Sequence, residues 1–491
     1  MRKAKIFSVF TAIILLMSIF CGSLTTFAAF TPKFALKSEA VYMVNLDTDI
    51  VVVSKNADKK LYPASTTKIM TCLVALANIK NFDATVEVTY DAFNEFSEGN
   101  PNYMGPSHAA IEPYQDNLTY WDCLYALMIP SACEAANILA YNVGGGSIEN
   151  FIAMMNKTAK QIGCRNTHFA NAHGLFNEDN YTTVYDLYLI TKYAMENYPT
   201  FMKICSTTSY DMPPNKANPE GYTITTTNKL ANPSSSLYYE GVSGVKTGSI
   251  DYNIYKTAEG WDTANPEEGS RALVTTCQRN GYTYMIVSMG APWHTEEGEA
   301  SNYNFEDHIN LYNWAFDEFE YTLVIGKNEQ IMQVDVDKGK DVDEVGIIAT
   351  DDYYTLLPKS LDLTTIQQIR PTIEMLEAPV EKDMMVGKLE LKLNGETLAK
   401  LALVTEQDVE LDMNEYYKEK LRDIIHTPQF TAIIAILVVL LIVYAVANIK
   451  RKKFKQKVAE SNRRKIQMAP QNRSNPKRRP NNPNNRNNTR R

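Results

Sequence analysis

Pro63-Ala64-Ser65-Thr66-Thr67-Lys68-Ile69-Met70 is the most informative stretch of this 491-residue chain. It opens an apolar run with the spacing of a helix, and residues three apart lie on one helix face. The Ser65 hydroxyl and the Lys68 amine are therefore predicted to touch. Serine is a weak nucleophile that needs a neighbouring base, and a desolvated lysine, whose pKa falls with burial, can be that base. The stretch predicts a nucleophilic serine where a helix begins.

The Ser-x-x-Lys spacing does not identify a nucleophile by itself, because it occurs three times. The other two examples are Ser243 with Lys246 and Ser474 with Lys477. A surface serine next to a solvated lysine is the ordinary alternative for any one of them. What surrounds each pair must therefore distinguish them.

Both ends of the chain carry membrane signals. Three basic residues within the first five precede an uncharged apolar run at 6–20, which is typical of a signal peptide, placed here at 1–29. Residues 430–449 are uncharged and long enough to form a transmembrane helix, and four basic residues follow at once. The positive-inside rule then predicts a single-pass cell-membrane protein with 30–429 extracellular and a cytoplasmic tail at 450–491.

Composition separates this tail from the body. The tail holds 16 Lys/Arg and one Glu among many Asn and Pro, so we expect it to be disordered, with attraction to anionic lipid. Because the whole chain has a net charge of −8, the body is acidic, which argues against nucleic-acid binding. No CxxC or HExxH pattern occurs, so neither a metal nor another cofactor is predicted. Free thiols are expected, with one or two disulfides left open.

Hydrophobic periodicity predicts an α+β body over 30–320. Strand patterns at both ends flank a largely helical stretch at 66–204, which indicates one antiparallel sheet and a helical lobe. From 321 to 405, short alternating strands predict a small all-β domain, and 406–429 should form a helical juxtamembrane segment. The predicted strands are 40–44, 50–53, 244–248, 272–277 and 283–289 in the body, and 330–335, 344–349, 372–376, 388–393 and 398–404 in the all-β domain.

Two further motifs accompany Ser65. Lys246-Thr247-Gly248 lies in a strand-like stretch, where a threonine can donate to a carboxylate and a glycine lets a ligand approach closely. Pro130-Ser131-Ala132-Cys133 follows an amphipathic helix, and its serine could relay a proton. The structural alternative is that Ser131 caps the next helix, because Glu134 stands at capping-box spacing.

The order Ser-x-x-Lys, Ser-x-Asn-like, Lys-Thr-Gly resembles the motif set of penicillin-binding proteins and serine β-lactamases. The segment around Ser65 is similar to the nucleophile segment of D-alanyl-D-alanine carboxypeptidases, the low-molecular-mass penicillin-binding proteins. Three more stretches resemble segments of that family: 166–175, 181–187 and 289–292. The resemblance covers about 37–320, and 321–405 is similar to the second domain of the family. It implies the penicillin-binding and serine β-lactamase-like transpeptidase fold.

The resemblance also implies roles. Ser65 would be the nucleophile, Lys68 its base and Ser131 the second-motif serine. The backbone N–H groups of Ser65 and Ser249 would form the oxyanion hole. The residues expected to bind substrate are Lys246, Thr247, Gly248, Ser249 and Cys133, with the terminal carboxylate on Lys246 and Thr247. The implied reaction removes the last D-alanine from peptidoglycan stem pentapeptides, and β-lactams would acylate the same serine. His168 and His173 are expected to be structural.

Some positions depart from the family pattern. Cys133 replaces the usual asparagine, Asn137 is a doubtful substitute, and Thr283 stands near a position where many relatives carry a carboxylate-binding arginine. The stretch 250–271 is long and polar and could form a lid or rim. These departures bear on turnover more than on acylation. A transpeptidase or endopeptidase, and a non-catalytic wall-binding or β-lactam-sensing protein, stay open as alternatives, and a β-lactamase is disfavoured.

Overall fold

An antiparallel sheet in the order β2-β1-β7-β6-β5 organises the body. The computed structural model describes residues 30–96, 107–251 and 269–467. The predicted signal peptide, most of the stretch 250–271 and residues 468–491 lie outside this part of the chain. The strands of the body are β1 (Ala40–Asn45), β2 (Ile50–Lys55), β3 (Ser209–Met212), β4 (Tyr222–Thr225), β5 (Val242–Asp251), β6 (Gly269–Arg279) and β7 (Tyr282–Pro292).

Helices cover both faces of this sheet. On β1, Ala40, Tyr42 and Val44 pack against the helical lobe, whereas the alternate residues Val41 and Met43 pack on the other side with α8. Period-two alternation in a strand explains this division, because successive side chains point to opposite faces. The helices are α1 (Lys68–Asn78), α2 (Asp91–Asn94), α3 (Tyr120–Met128), α4 (Cys133–Val143), α5 (Ile148–Ile162), α6 (Val184–Asn197), α7 (Pro199–Cys205) and α8 (Tyr303–Glu318).

The strand predictions for the body are confirmed. β6 and β7 form the expected hairpin, in which Asn280 and Gly281 both have positive φ, at 53° and 83°. Two successive left-handed residues match the twist of a two-residue hairpin, which is why Asn-Gly predicted it. β5 ends the strand order, so one side of its backbone has no sheet partner within the part of the chain that the structure describes.

Short strands, mostly antiparallel, follow the body, as predicted for the all-β region; the exception is Leu376–Glu377, which pairs in parallel with Val336 and Asp337. The Asn394-Gly395 hairpin is confirmed, with β14 and β15 paired across it. The predicted strand at 372–376 is wrong: 367–369 and 376–377 are strands instead, because Pro371 interrupts the run and cannot donate to a ladder. These strands are β8 (Phe319–Ile325), β9 (Gln330–Asp337), β10 (Glu344–Ala349), β11 (Tyr353–Pro358), β12 (Gln367–Ile369), β13 (Leu376–Glu377), β14 (Met385–Leu393) and β15 (Glu396–Thr405).

The chain divides into two compact units. The first holds the described residues up to Gln333 together with Gly346–Ile373 and Asp383–Glu406. The second holds Val334–Val345, Glu374–Lys382 and the chain from Gln407 onward. The domain boundaries predicted at 320 and 405 stay predictions.

The second unit carries two helices, α9 (Met413–Ile425) and α10 (Pro428–Gln467). α10 is long and apolar enough to cross a membrane, and its apolar side chains are exposed in the isolated chain. It continues to Gln467, so residues 450–467 are helical where the sequence predicted disorder. Helix propagation from a long apolar segment explains the extension, since adding a residue to an existing helix costs far less than starting one.

Candidate active site

Ser65 and Lys68 meet as the tetrad predicts. Residues Ala64–Thr67 form a 3₁₀ turn, and Lys68 is the first residue of α1. Lys68 Nζ lies 3.0 Å from Ser65 Oγ. Ala64, just before the serine, has φ of 52°, a conformation that costs a non-glycine residue energy and is found most often at functional sites. The nucleophile candidate therefore sits on a sharply turned helix start.

Lys68 is completely buried, with three partners around its amine. Its ammonium donates to the His173 carbonyl at 2.6 Å, to Ser65 Oγ, and to Cys133 Sγ at 3.5 Å. Burial lowers the pKa of Lys68, while the nearby Cys133 opposes this shift. A lysine in this state can release its proton near neutral pH more readily than a solvated one, and so can act as a base.

Ser131 lies between α3 and α4 and has φ of 71°. The structural alternative, that Ser131 caps α4, is wrong: Ala132 is the N-cap residue and gives no side-chain cap. The carboxylate of Glu134 accepts the Ala109 N–H at 2.6 Å. Ser131 Oγ is buried and has no hydrogen-bond partner among the described residues.

Cys133 begins α4 and is 1% exposed. Its thiol faces Lys68, and burial raises the thiol pKa, which Lys68 partly counteracts. Asn137, one turn further along, donates to the Ala92 carbonyl at 3.2 Å, away from Ser65. The residue that replaces the family asparagine thus contacts the lysine, although a thiol is a weak hydrogen-bonding group.

The third motif lies on β5. Lys246 is 1% exposed and donates to the Thr247 carbonyl at 3.0 Å, and burial lowers its pKa well below the usual value. Thr247 Oγ1 lies 2.5 Å from Thr227 Oγ1. A Cβ on Gly248 would stand 2.9 Å from the Pro63 carbonyl oxygen. Gly248 therefore lets β5 approach the turn that carries Ser65.

These elements enclose a cavity of about 210 Å³ that joins all three motifs. Ser65, Ser131, Thr247, Gly248 and Ser249 line it, whereas Lys68, Cys133 and Lys246 lie beneath its surface. The cavity also takes in residues that the sequence analysis did not select, namely Ser107, Thr227, Lys229, Arg271, Ala300, Ser301, Asn302 and Phe305. No short motif marks them, since they come from four separate parts of the chain.

The 171–175 segment packs against the turn that carries Ser65. A Cβ on Gly174, which has φ of 82°, would stand 1.9 Å from the Ala64 carbonyl oxygen. Thr71 Oγ1 donates to the Ala172 carbonyl at 2.6 Å. The resemblance marked this segment without a role, and the positive φ and close approach supply the reason for its glycine.

His173 is buried and neutral in this arrangement. Its Nδ1 accepts the Leu175 N–H at 3.1 Å, so the proton lies on Nε2, which donates to Glu95 at 2.8 Å. Burial lowers the His173 pKa, consistent with the neutral form. The ring therefore holds the segment whose carbonyl accepts from Lys68, while His168 lies elsewhere, against the Asp179 carbonyl.

Among residues 30–96, 107–251 and 269–467, no group of three His, Cys, Asp or Glu side chains is arranged to hold a metal ion. The six cysteines of those ranges are free thiols. Thr283, near the expected position of a family arginine, donates its N–H to Asp47 at the hairpin end of β7, and Thr283 does not line the cavity.

Comparisons with known proteins agree with this geometry. The family model described as D-alanyl-D-alanine carboxypeptidase matches residues 25–292, and the one described as penicillin-binding protein 5, C-terminal domain, matches 319–411. D-alanyl-D-alanine carboxypeptidase DacF of Bacillus subtilis is 26% identical over 77% of this chain and 87% of its own length. A D-alanyl-D-alanine carboxypeptidase of a Streptomyces species is 36% identical over 42% of this chain and 70% of its own.

Solved structures show the same fold. D-alanyl-D-alanine carboxypeptidase DacD from Francisella tularensis superposes with a TM-score of 0.57 at 21% identity, over 77% of this chain and 95% of its own. Penicillin-binding protein 5 from Haemophilus influenzae gives 0.52 at 22% identity, over 78% and 100%. Since the first family model covers more than half of the sequence, the chain belongs to the D-alanyl-D-alanine carboxypeptidase family and is a hydrolase of the penicillin-binding type.

Proposed function

We propose that this protein removes the terminal D-alanine from peptidoglycan stem pentapeptides through an acyl-enzyme on Ser65. The observation that carries the proposal is the buried Lys68 amine, which lies 3.0 Å from Ser65 Oγ. Ser65 lines a cavity that Ser131 and Thr247 also line. A desolvated lysine beside a serine supplies the base that the hydroxyl needs.

In the proposed reaction, Ser65 Oγ attacks the carbonyl between the two D-alanines and Lys68 takes the hydroxyl proton. The backbone N–H groups of Ser65 and Ser249 stabilise the resulting oxyanion. The C–N bond then breaks, Ser131 passes a proton to the leaving amine, and D-alanine departs. Water attacks the ester, and the shortened peptide leaves with the oxygen of water in its new carboxylate.

The other site residues bind the substrate or position the reacting groups. Thr247 donates to the terminal carboxylate, and Lys246 beneath it donates to the Thr247 carbonyl without entering the cavity. Gly248 holds β5 against the nucleophile turn, and Cys133 accepts from Lys68. β-Lactams, whose strained amide mimics the scissile bond, acylate Ser65 by the same step.

The proposed arrangement in the cell follows from α10. This helix anchors the protein, the unit that carries Ser65 acts outside the membrane after removal of 1–29, and the basic 450–491 segment stays in the cytoplasm. Here 30–320 is the catalytic domain, 321–405 the all-β domain and 406–429 the juxtamembrane segment. The contiguous 430–449 segment, exposed and uncharged within α10, supports the anchor.

The test is mass spectrometry of a stem pentapeptide incubated with the full-length protein in detergent. We expect loss of one D-alanine with the wild type and none with Ser65→Ala. Labelled penicillin bound at Ser65 without D-alanine release would instead favour the sensing alternative. Cross-linked or cleaved dimeric peptides would identify a transpeptidase or an endopeptidase.

A further inference from the structure

Glu134 is a buried carboxylate beside the site, and none of the three motifs gives it a role. It is the second residue of α4 and only 3% exposed. Acidic side chains are seldom buried so completely unless they are paired. The contact that holds this one is a backbone group, the Ala109 N–H, rather than a cation. Its neighbour Cys133 contacts Lys68, so the first turn of α4 lies next to the base of the proposed reaction.

The first turn of α4 holds residues 107–111 in place. Glu134 accepts the Ala109 N–H at 2.6 Å, and the Cys133 N–H donates to the Ser107 carbonyl at 2.7 Å. Ser107 lines the cavity, so the segment that these two hydrogen bonds fix is part of the cavity wall. Two consecutive residues of one helix therefore set the position of this wall.

Hydrogen bonds and the helix start favour the ionised form of Glu134. Burial raises its pKa, and hydrogen bonds from backbone N–H groups, above all that of Ala109, oppose this shift. The first turn of a helix also attracts negative charge, because its backbone N–H groups have no partner within the helix. A carboxylate held by N–H groups in this way keeps its charge without a cation beside it.

The charge of Glu134 acts on the Lys68 amine. Burial lowers the Lys68 pKa, whereas Cys133 and Glu134 both favour its ammonium form. When Lys68 takes the Ser65 proton, a positive charge appears on a completely buried side chain, where an unpaired charge is costly. A carboxylate that is already in place stabilises this charge without any rearrangement during the reaction.

Other titratable groups face Lys68 and Glu134 from several elements. They are Cys133 on α4, Lys246 on β5, His173 in segment 171–175, His108 in segment 107–111, Tyr222 on β4, and Asp122 and Cys123 on α3. Burial raises the pKa of the two thiols and of Tyr222 and lowers the pKa of His173, so these groups are uncharged near neutral pH. The Asp122 carboxylate accepts from the hydroxyls of Thr119 and Tyr210. Glu134 is therefore the carboxylate whose charge we assign to Lys68.

We propose that Glu134 is a positioning residue for acylation: it holds the 107–111 wall and stabilises the positive charge that forms on Lys68 when Ser65 loses its proton. This inference rests on the proposed function and adds a residue to it. Glu134 acts through Lys68 and through the backbone of 107–111, and not on the substrate directly. Its charge keeps Lys68 basic enough to take the serine proton, although burial alone would weaken the lysine as a base.

The test is the pH dependence of Ser65 labelling by a fluorescent penicillin, on full-length protein in detergent. The measured quantity is the second-order rate constant, followed from about pH 5 to about pH 10. Glu134→Gln keeps the size of the side chain and removes its charge. Acylation needs the neutral amine, and loss of a nearby negative charge lowers a lysine pKa, so the midpoint should move downward by about 0.5 to 1 pH unit. The weaker base should also lower the maximal rate about 3- to 10-fold.

The matched control is Glu149→Gln, the same exchange at the second residue of α5, where the side chain is exposed. It also removes an acidic residue from the first turn of a helix, and it should leave the midpoint and the maximal rate unchanged. If Glu134 only supported the fold, its glutamine variant would have a lower maximal rate with the wild-type midpoint. The midpoint therefore distinguishes the proposed role from a structural one.

A midpoint that stays in place or moves upward in Glu134→Gln would overturn the inference. If that variant does not fold, Glu134→Asp and Glu134→Asn carry the test, because they are equal in size and differ in charge. The aspartate variant should then have the higher midpoint, and equal midpoints would overturn the inference. Absence of Ser65 labelling in the wild type would instead overturn the proposed function, so the two failures are distinct.

Discussion

The two walls of the cavity use positive charge in different ways. On the helical wall, Lys68 is fully buried, has three hydrogen-bond partners and touches the nucleophile. On the strand wall, Arg271 borders the cavity with a donor left unpaired. Burial makes a lysine a proton acceptor because it can lose its charge, whereas an arginine cannot and so is suited to hold an anion. The two walls therefore differ in whether their cation can lose its charge.

The largest expected effect comes from replacing Lys68 by a residue that cannot act as a base. Lys68→Arg keeps the charge but removes the base, so acylation of Ser65 by penicillin should fall by about 10³- to 10⁴-fold. Lys68→Met also removes the base but does not introduce the larger arginine side chain, and it should slow acylation by a similar factor. Stopped-flow or gel-based labelling measures both. Retention of most activity in either variant would mean that the two walls do not differ as described.

A second prediction concerns the contact between Gly174 and the turn that carries Ser65. Gly174→Ala places a Cβ against the Ala64 carbonyl at a positive φ, and should lower the free energy of unfolding by about 2–4 kcal/mol. Displacement of Ser65 should slow acylation by about 10- to 100-fold. Thermal or denaturant unfolding and penicillin labelling check the two effects.

Gly163→Ala is the control for this prediction. Gly163 also has a positive φ, 101°, but nothing lies within 4 Å of the added Cβ. It should cost about 1 kcal/mol of stability through the backbone alone and leave acylation unchanged. Equal effects on acylation at both positions would show that contact with the nucleophile turn is unimportant.

The smallest expected effect is a shift in the pH dependence of acylation, which reports the pKa of Lys68. Acylation needs the neutral amine, so its rate should rise with pH through the lysine pKa, which burial has lowered. In Cys133→Asn, an amide oxygen replaces the thiol and stabilises the ammonium form better. The midpoint of the pH profile should then move upward, by up to about one pH unit.

The control exchange is Cys164→Asn, which alters a thiol that contacts Asp186 and not Lys68. It should leave the midpoint where it is. A midpoint that stays the same or moves downward in Cys133→Asn would contradict the thiol–lysine contact seen here at 3.5 Å.

Local patterns predicted most of the elements. The spacing of Ser65 and Lys68, the alternation in β1 and the Asn-Gly turns each depend on neighbouring residues, so the sequence contains the whole signal. The alternative that Ser131 caps α4 was wrong because the helix begins one residue later than that spacing assumes, with Ala132 as its N-cap. The sequence analysis did not predict the helix beyond residue 449, because the composition of the tail does not show that the preceding apolar helix continues into it.

The sequence by itself determined the family, the α+β class, an apolar segment long enough to span a membrane and the contact of Ser65 with Lys68. Only the tertiary structure decided what surrounds that pair. It places Lys246 and Cys133 beneath the cavity, Gly174 behind the nucleophile turn and Arg271 in the opposite wall. The physical reason is that a helix turn fixes neighbours three residues apart, whereas burial and unpaired charge depend on which distant segments the fold packs together.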